Sequence, residues 1–441
     1  MKLMFQKILI SNIVFVTLLY IFLFIVNPEL GNYFLNNNLI ENYFPNSNIA
    51  YYVPVSDDLY LYLDGIKDFS SIIEYDYNYQ NRPLYIASIK FFYFILEKLS
   101  FGGLILNFLS FLFFHTLVVT ISVVMFVKSI SFSRNINRFH VISFISILFI
   151  LNPIIKYGLF DSAHQTILLL QFAASLYLIQ KDINKWNTVY KISFIIGIMA
   201  LANSVFFLTW IFLILPKIKN LFKSSNFGKL LISFIVTLIP VLLWNLYIYS
   251  EGYIPYNAEI IYWRQFIWIP LYIFNGYENI NFDLDRYEYY CMSVPLFLEC
   301  YMYQLLDVIK YLILPILLAI FNTLLLIKNQ NEKFKKLLKN LSAIFITTLI
   351  FWGFIGWYPP LRIGLYSVGF FITFLLAIQF ALLENSKLFY VGLVLSILYY
   401  LYLPHWNNPN IINLNFGFLL SLFLFLVYMI FYLFEKKKIL N

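Results

Sequence analysis

The chain has 441 residues, 61% of them hydrophobic and only 12% charged, against about 45–50% and about 25% in a soluble globular domain. A single hydrophobic core stops growing near ~250–300 residues, so the surplus apolar surface has lipid as its natural solvent and a water-soluble fold is excluded. The formal net charge of +8 reads as a topology signal across a bilayer, not as a nucleic-acid footprint.

In chain order, runs of about 20 apolar residues predict membrane helices over 8–26, 104–127, 139–155, 166–179, 230–249, 311–327, 341–357, 363–383, 388–403 and 411–434. The first run follows Lys2 and Lys7 and has no small-residue cleavage site after it, so it reads as a retained anchor with a cytoplasmic N-terminus. Most of the 30 Lys and Arg residues then fall in alternate loops, around Lys128–Arg138, Lys181–Lys191, Lys217–Lys229, Lys328–Lys339, Lys387 and Lys436–Lys438. The positive-inside rule assigns all of these, and the C-terminus, to the cytoplasm. Of the 22 acids only Asp182, Glu332, Glu384 and Glu435 join them. The expected fold is an all-α polytopic membrane protein, with residues 1–441 forming one integral membrane domain.

That orientation decides two ambiguous stretches. A crossing by 83–99 would invert every later loop, and the stretch carries Lys90 and Glu97, so it is expected as an amphipathic helix on the outer interface. The apolar run 192–216 has basic loops on both sides and must enter and return, as two short helices broken around Ala202, Asn203 and Ser204 or as a re-entrant hairpin. Two long outer segments follow from this count, 27–103 and 250–310, both rich in Tyr, Asn and acids. Loops of such length are usually functional or disordered, and these hold too many aromatics for disorder.

The first outer segment contains Ser56-Asp57-Asp58-Leu59-Tyr60 and then Asn81-Arg82-Pro83-Leu84-Tyr85. Ser56 or Asp57 has the chemistry of a helix cap there; equally, two carboxylates with an Arg in the same loop suit a reactive base beside a phosphate-binding cation. Asp161 and His164 share one helical face three residues apart, which suits either a second acid with a proton relay or interfacial hydration. Arg362, in Pro359-Pro360-Leu361-Arg362, suits either phosphate or an interface anchor. The second outer segment offers Trp263-Arg264-Gln265 and Asp283 to Glu288 among many Tyr and Trp residues, and an aromatic belt accounts for most of them. Cys291 and Cys300, in the same segment, are either bridged or free. No transition-metal spacing is present; a divalent cation on Asp57, Asp58 and Asp161 is an open alternative.

The order of these motifs resembles the integral-membrane glycosyltransferases of the GT-C fold, which use polyprenyl-phosphate sugars. The likeness rests on Asp57-Asp58 near the start of a large outer loop and an Arg-Pro-Leu-Tyr helix, Arg82 to Leu99, running through Phe101-Gly102-Gly103 into the next span. Leu151-Asn152-Pro153 followed by Asp161, and the motif ending at Arg362, extend it. Asp-Asp followed by Arg-Pro-Leu is particularly similar to the serotype-converting glucosyltransferases that decorate O-antigen.

The resemblance implies a GT-C-like bundle of about ten to twelve transmembrane helices in a bacterial inner membrane, with its active site facing the periplasm. It implies an inverting hexosyltransferase taking a hexose, glucose for choice, from a polyprenyl-phosphate donor to a glycan or lipid-linked glycan acceptor, with no cofactor established and a divalent cation left open. Asp57 or Asp58 would be the base. Arg82, Tyr85, Asp161, His164 and Arg362 would bind substrate. An O-antigen polymerase is the alternative enzyme, and a flippase of lipid-linked sugars is the alternative from another class. A flippase asks for related halves and midplane polar groups, and no internal repeat is visible.

Overall fold

Apolar segments without water must satisfy every backbone polar group internally, which helices do. The computed structural model describes residues 2–26, 59–74, 78–130, 139–151, 155, 165–181, 183, 185–216, 224–255, 313–328, 332–350, 387–402 and 414–440. All regular structure among these is helical. Stretches 106–129, 226–250 and 417–434 are long and apolar enough to cross a membrane, and shorter apolar helices accompany them.

The first unit, 1–150 with 155–256, contains α1 (Lys2–Val26), α2 (Leu59–Lys67), α3 (Ser71–Glu74), α4 (Pro83–Lys98), α5 (Gly103–Ile130), α6 (Phe139–Ile150), α7 (Gln165–Gln180), α8 (Trp186–Ala200), α9 (Phe207–Ile214) and α10 (Ser224–Ser250). Helix α5 is the centre: 72% of its apolar window is buried, against 22% for α10. It packs on α1, α4, α6 and α7, while α7 continues to α9 and α8 lies along α10. Within α5 the hydroxyls of Ser110 and Ser122 fold back on the Leu106 and Val118 carbonyls of their own helix, so these two add no unpaired donor to the bundle, whereas the buried Thr116 hydroxyl has no partner among the described residues. Polar ties between helices include Asn12 to Thr120 at 2.8 Å, Ser175 to Thr209 at 3.2 Å and Trp210 to Ser233 at 3.2 Å. Much of α10 presents large apolar side chains outward, including Leu231, Ile235, Leu242 and Leu246. A face of this size calls for lipid.

Helices α8 and α10 approach unusually closely. A Cβ at Gly197 would lie 2.2 Å from the Thr237 carbonyl oxygen and 2.9 Å from Pro240 Cδ. Ser193 and Gly197 on the buried face of α8 provide the small-xxx-small spacing that lets membrane helices approach backbone to backbone.

Helix α4 runs Pro83–Lys98, matching the helix expected over 83–99. Pro83 is its first residue, where a missing N–H costs nothing. Its end is a Schellman turn: Ser100 takes φ 66°, its N–H reaches the Glu97 carbonyl at 2.9 Å, and the Phe101 N–H reaches that of Leu96 at 3.2 Å. Glycine usually fills that left-handed position. In the run 192–216, α8 stops at Ala200 and a 3₁₀ turn starts at Ser204, with the Asn203 side chain accepting from the Val205 N–H at 3.1 Å.

The second unit holds 151–154 and 257–441. Its described helices are α11 (Ile313–Lys328), α12 (Glu332–Ile350), α13 (Lys387–Tyr402) and α14 (Leu414–Leu440). Helices α11, α13 and α14 pack together; the Tyr428 hydroxyl donates to Asn322 Oδ1 at 2.8 Å, and Phe321 meets Phe425, Tyr428 and Tyr432 edge-on. The Lys-rich stretch read as a loop is helical from Glu332. Lys335, Lys336 and Lys339 are exposed while Leu337, Leu341 and Ile344 are buried, a helical spacing that makes this stretch the amphipathic start of the following helix.

Candidate functional site

The described residues 59–74 and 78–101 are arranged around the head of α4. Arg82 occupies the N-cap position, which a guanidinium cannot cap because it has no acceptor, and indeed no side-chain cap bond forms there. Instead Arg82 Nη1 donates to the Tyr62 hydroxyl. Tyr62 is buried at the end of α2 that follows the acidic pair in the chain, and Leu63 and Ile66 of α2 are buried with it. Arg82 itself is half-buried. A cation at a helix N-terminus has the wrong sign for the helix dipole, typically by about 0.3–1 kcal/mol. Both features favour an anion at the same place.

Three residues on, one turn along the same face, is Tyr85, fully buried. Its ring meets Tyr62 edge-on at 5.5 Å and Phe114 at 5.4 Å. Its hydroxyl lies 3.2 Å from His115 Nε2 in α5, and His115 Nδ1 pairs with the Thr166 hydroxyl at the start of α7. A chain of contacts thus leads from Arg82 through Tyr62, Tyr85 and His115 to Thr166, crossing α2, α4, α5 and α7.

The head of α4 is also anchored from outside. The Leu84 N–H donates to the Leu201 carbonyl at 3.2 Å, which ties the first turn of α4 to the break between α8 and α9. Trp244 of α10 donates its indole N–H to the Gln80 carbonyl at 2.9 Å, and the Gln80 amide donates to the Ile73 carbonyl at 3.2 Å. Phe69 packs on Trp244 at 6.3 Å. In the turn beside it, exposed Asp68 accepts from the Ser70 hydroxyl at 2.7 Å and the Ser70 N–H at 3.0 Å. These bonds, with Lys90 nearby, hold its carboxyl below the usual range. Further along α4, burial and then the charge of Glu97 push the Tyr93 hydroxyl up.

Of the residues expected at a site, the structure brings Arg82 and Tyr85 together on one face of α4. Asp57, Asp58, Asp161, His164 and Arg362 lie outside the described residues, as do Trp263, Asp283, Cys291 and Cys300. Among the described residues no group of three His, Cys, Asp or Glu is placed to hold a metal ion. Sequence reasoning missed Tyr62 and His115. Tyr62 is one of 36 tyrosines, and His115 sits alone in an apolar run with partners 30 and 51 residues away; the one local signal was a histidine at depth in a span, where ionisable groups are functional by default.

Compared with known proteins, the chain matches no family model, no curated protein and no solved structure.

Proposed function

We propose that the chain is an integral-membrane glycosyltransferase of GT-C architecture in a bacterial inner membrane, transferring a hexose, glucose for choice, from polyprenyl phosphate to a cell-surface glycan precursor at the periplasmic face. The observation that carries this reading is Arg82, a half-buried guanidinium at the head of α4, held by Tyr62 of the helix that follows Asp57-Asp58 directly in the chain. The reaction displaces phosphate at the anomeric carbon. As that bond breaks, negative charge grows on the phosphate, where the planar fork of an arginine and the positive end of a helix act together. One carboxylate of the acidic pair takes the proton of the attacking hydroxyl, a role typically worth 10²–10⁴-fold. The acceptor face agrees with a lipid-linked donor, since a nucleotide sugar is not available outside the cytoplasm.

Helix α4 supports a donor approaching through lipid. Its inner face, Tyr85, Ile86, Ile89 and Leu96, is buried, while Phe91, Phe94, Ile95 and Leu99 are exposed with Lys98 over the Phe94 ring at 5.4 Å. This suits a helix lying in the bilayer interface, with the phosphate-facing cation at one end. The test is transfer of radiolabelled glucose from polyprenyl-phosphate glucose in membranes carrying wild type or Arg82→Gln. Loss of transfer in the variant at matched expression supports the reading; equal transfer refutes the role of Arg82. Longer glycan chains in cells without transfer by wild type would instead indicate a polymerase.

A further inference from the structure

We propose that Tyr85 and His115 are positioning residues that set the guanidinium of Arg82 from inside the bundle, by way of Tyr62. The proposal rests on the reading of Arg82 as the phosphate-facing cation. Tyr62 is only 2% exposed, and its ring packs perpendicular to that of Tyr85 at 5.5 Å. Tyr85 in turn has its hydroxyl on His115 Nε2, and both residues are inaccessible to solvent. His115 is stacked on Phe111 at 6.2 Å, meets Phe114 edge-on at 5.2 Å, and is tied through Nδ1 to Thr166. Either neutral tautomer closes the chain: one accepts from Tyr85 and donates to Thr166, the other reverses both bonds.

The consequence is mechanical. The bond to His115 holds the far end of the Tyr85 ring, against which Tyr62 rests. His115→Leu leaves a buried hydroxyl that turns to find another partner, and Tyr85→Phe leaves a ring with nothing to hold that end, so in both the support of Tyr62 is loosened. Arg82 then loses its fixed acceptor, and a fork that is loose by about 1 Å costs a large part of its advantage over a point charge.

The test uses the full chain in lipid nanodiscs, with farnesyl phosphate as the charged probe and farnesol as its uncharged control. Arg82→Gln should weaken farnesyl phosphate about 10- to 100-fold and leave farnesol unchanged. Tyr85→Phe and His115→Leu should each weaken farnesyl phosphate roughly 3- to 10-fold without affecting farnesol, with the double variant no worse than either, because coupled residues do not add. His115→Gln, which keeps a donor and an acceptor, should bind within about twofold of wild type.

A second readout is independent of the probe. In ¹⁵N-arginine-labelled protein, slow rotation of Arg82 Nη1 reports its bond to Tyr62, and Tyr85→Phe or His115→Leu should abolish it as Tyr62→Phe does. Retained slow rotation in both variants overturns the proposal, as do multiplying effects in the double variant or equal losses for farnesol. If Arg82→Gln binds farnesyl phosphate like wild type, the phosphate reading fails and the rotation experiment still decides the positioning. Tyr85→Phe removes a single oxygen, so it tests the idea even where His115→Leu fails to fold.

Discussion

Replacing Gly197 by alanine tests the close crossing of α8 and α10. The new Cβ would stand 2.2 Å from the Thr237 carbonyl oxygen, where ordinary contact begins near 3.4 Å, and the clashing atom is backbone. Rotamer changes cannot relieve it, so the helices must part by roughly 1 Å, a gap that forfeits about a quarter to a half of each contact's attraction. Overpacking typically costs about 1–3 kcal/mol, and a backbone clash belongs in the upper half of that range. At about 2–4 °C per kcal/mol for a domain of this size, the apparent melting temperature in detergent should fall by roughly 4–12 °C. Gly228→Ala is the matched control, because a Cβ there meets nothing within 4 Å and alanine improves helix propensity by up to ~1 kcal/mol. Scanning fluorimetry of both variants decides the matter. Gly197→Ala melting with wild type, or Gly228→Ala falling as far, would refute the reasoning.

The remaining predictions concern the elements around the head of α4. Ser100→Gly should stabilise the chain by up to ~1 kcal/mol, since a left-handed backbone costs a non-glycine residue about 1–2 kcal/mol and glycine gives part of that back in the unfolded state; a lower melting temperature would contradict the turn. Trp244→Phe keeps the ring against Phe69 but deletes the bond to the Gln80 carbonyl, worth about 1 kcal/mol, and should speed amide exchange over 78–82 while leaving α5 unchanged. The depressed carboxyl of Asp68 stabilises its turn above the unfolded value near pH 4, and that protection is lost as pH falls through the lower folded value. Exchange of the Ser70 amide, measured from pH 5 downward, should therefore show an extra acid-dependent step in wild type that Asp68→Asn lacks. An identical profile in the variant would remove Asp68 as the cause.

What the sequence made legible follows from how local the signals are. Pro83 after Arg82 announced the start of α4, and the polar Ala202-Asn203-Ser204 break inside an apolar run located the end of α8, because both depend on residues that are neighbours in the chain. The lysines at 333–339 were read as a loop by charge alone; their spacing against Leu337 and Leu341 carried the helix. The close α8–α10 contact was present as Ser193 and Gly197 in a chain with only 15 glycines, but which helix lies against them is a long-range fact. The site divides the same way. Arg82 and Tyr85 are marked by a motif, whereas Tyr62 and His115 acquire meaning only when four separate elements meet.

The central claim is sugar transfer at an outer site in which Arg82 carries the leaving phosphate and the acidic pair the proton. The most direct test is transfer from polyprenyl-phosphate glucose to a lipid-linked glycan acceptor in membranes, comparing wild type with Arg82→Gln, Asp57→Asn and Asp58→Asn at matched expression. The account predicts activity in wild type, loss of about 10²–10⁴-fold in one of the two aspartate variants, and a clear loss in Arg82→Gln. Full transfer by all three variants, or none by wild type, would contradict it.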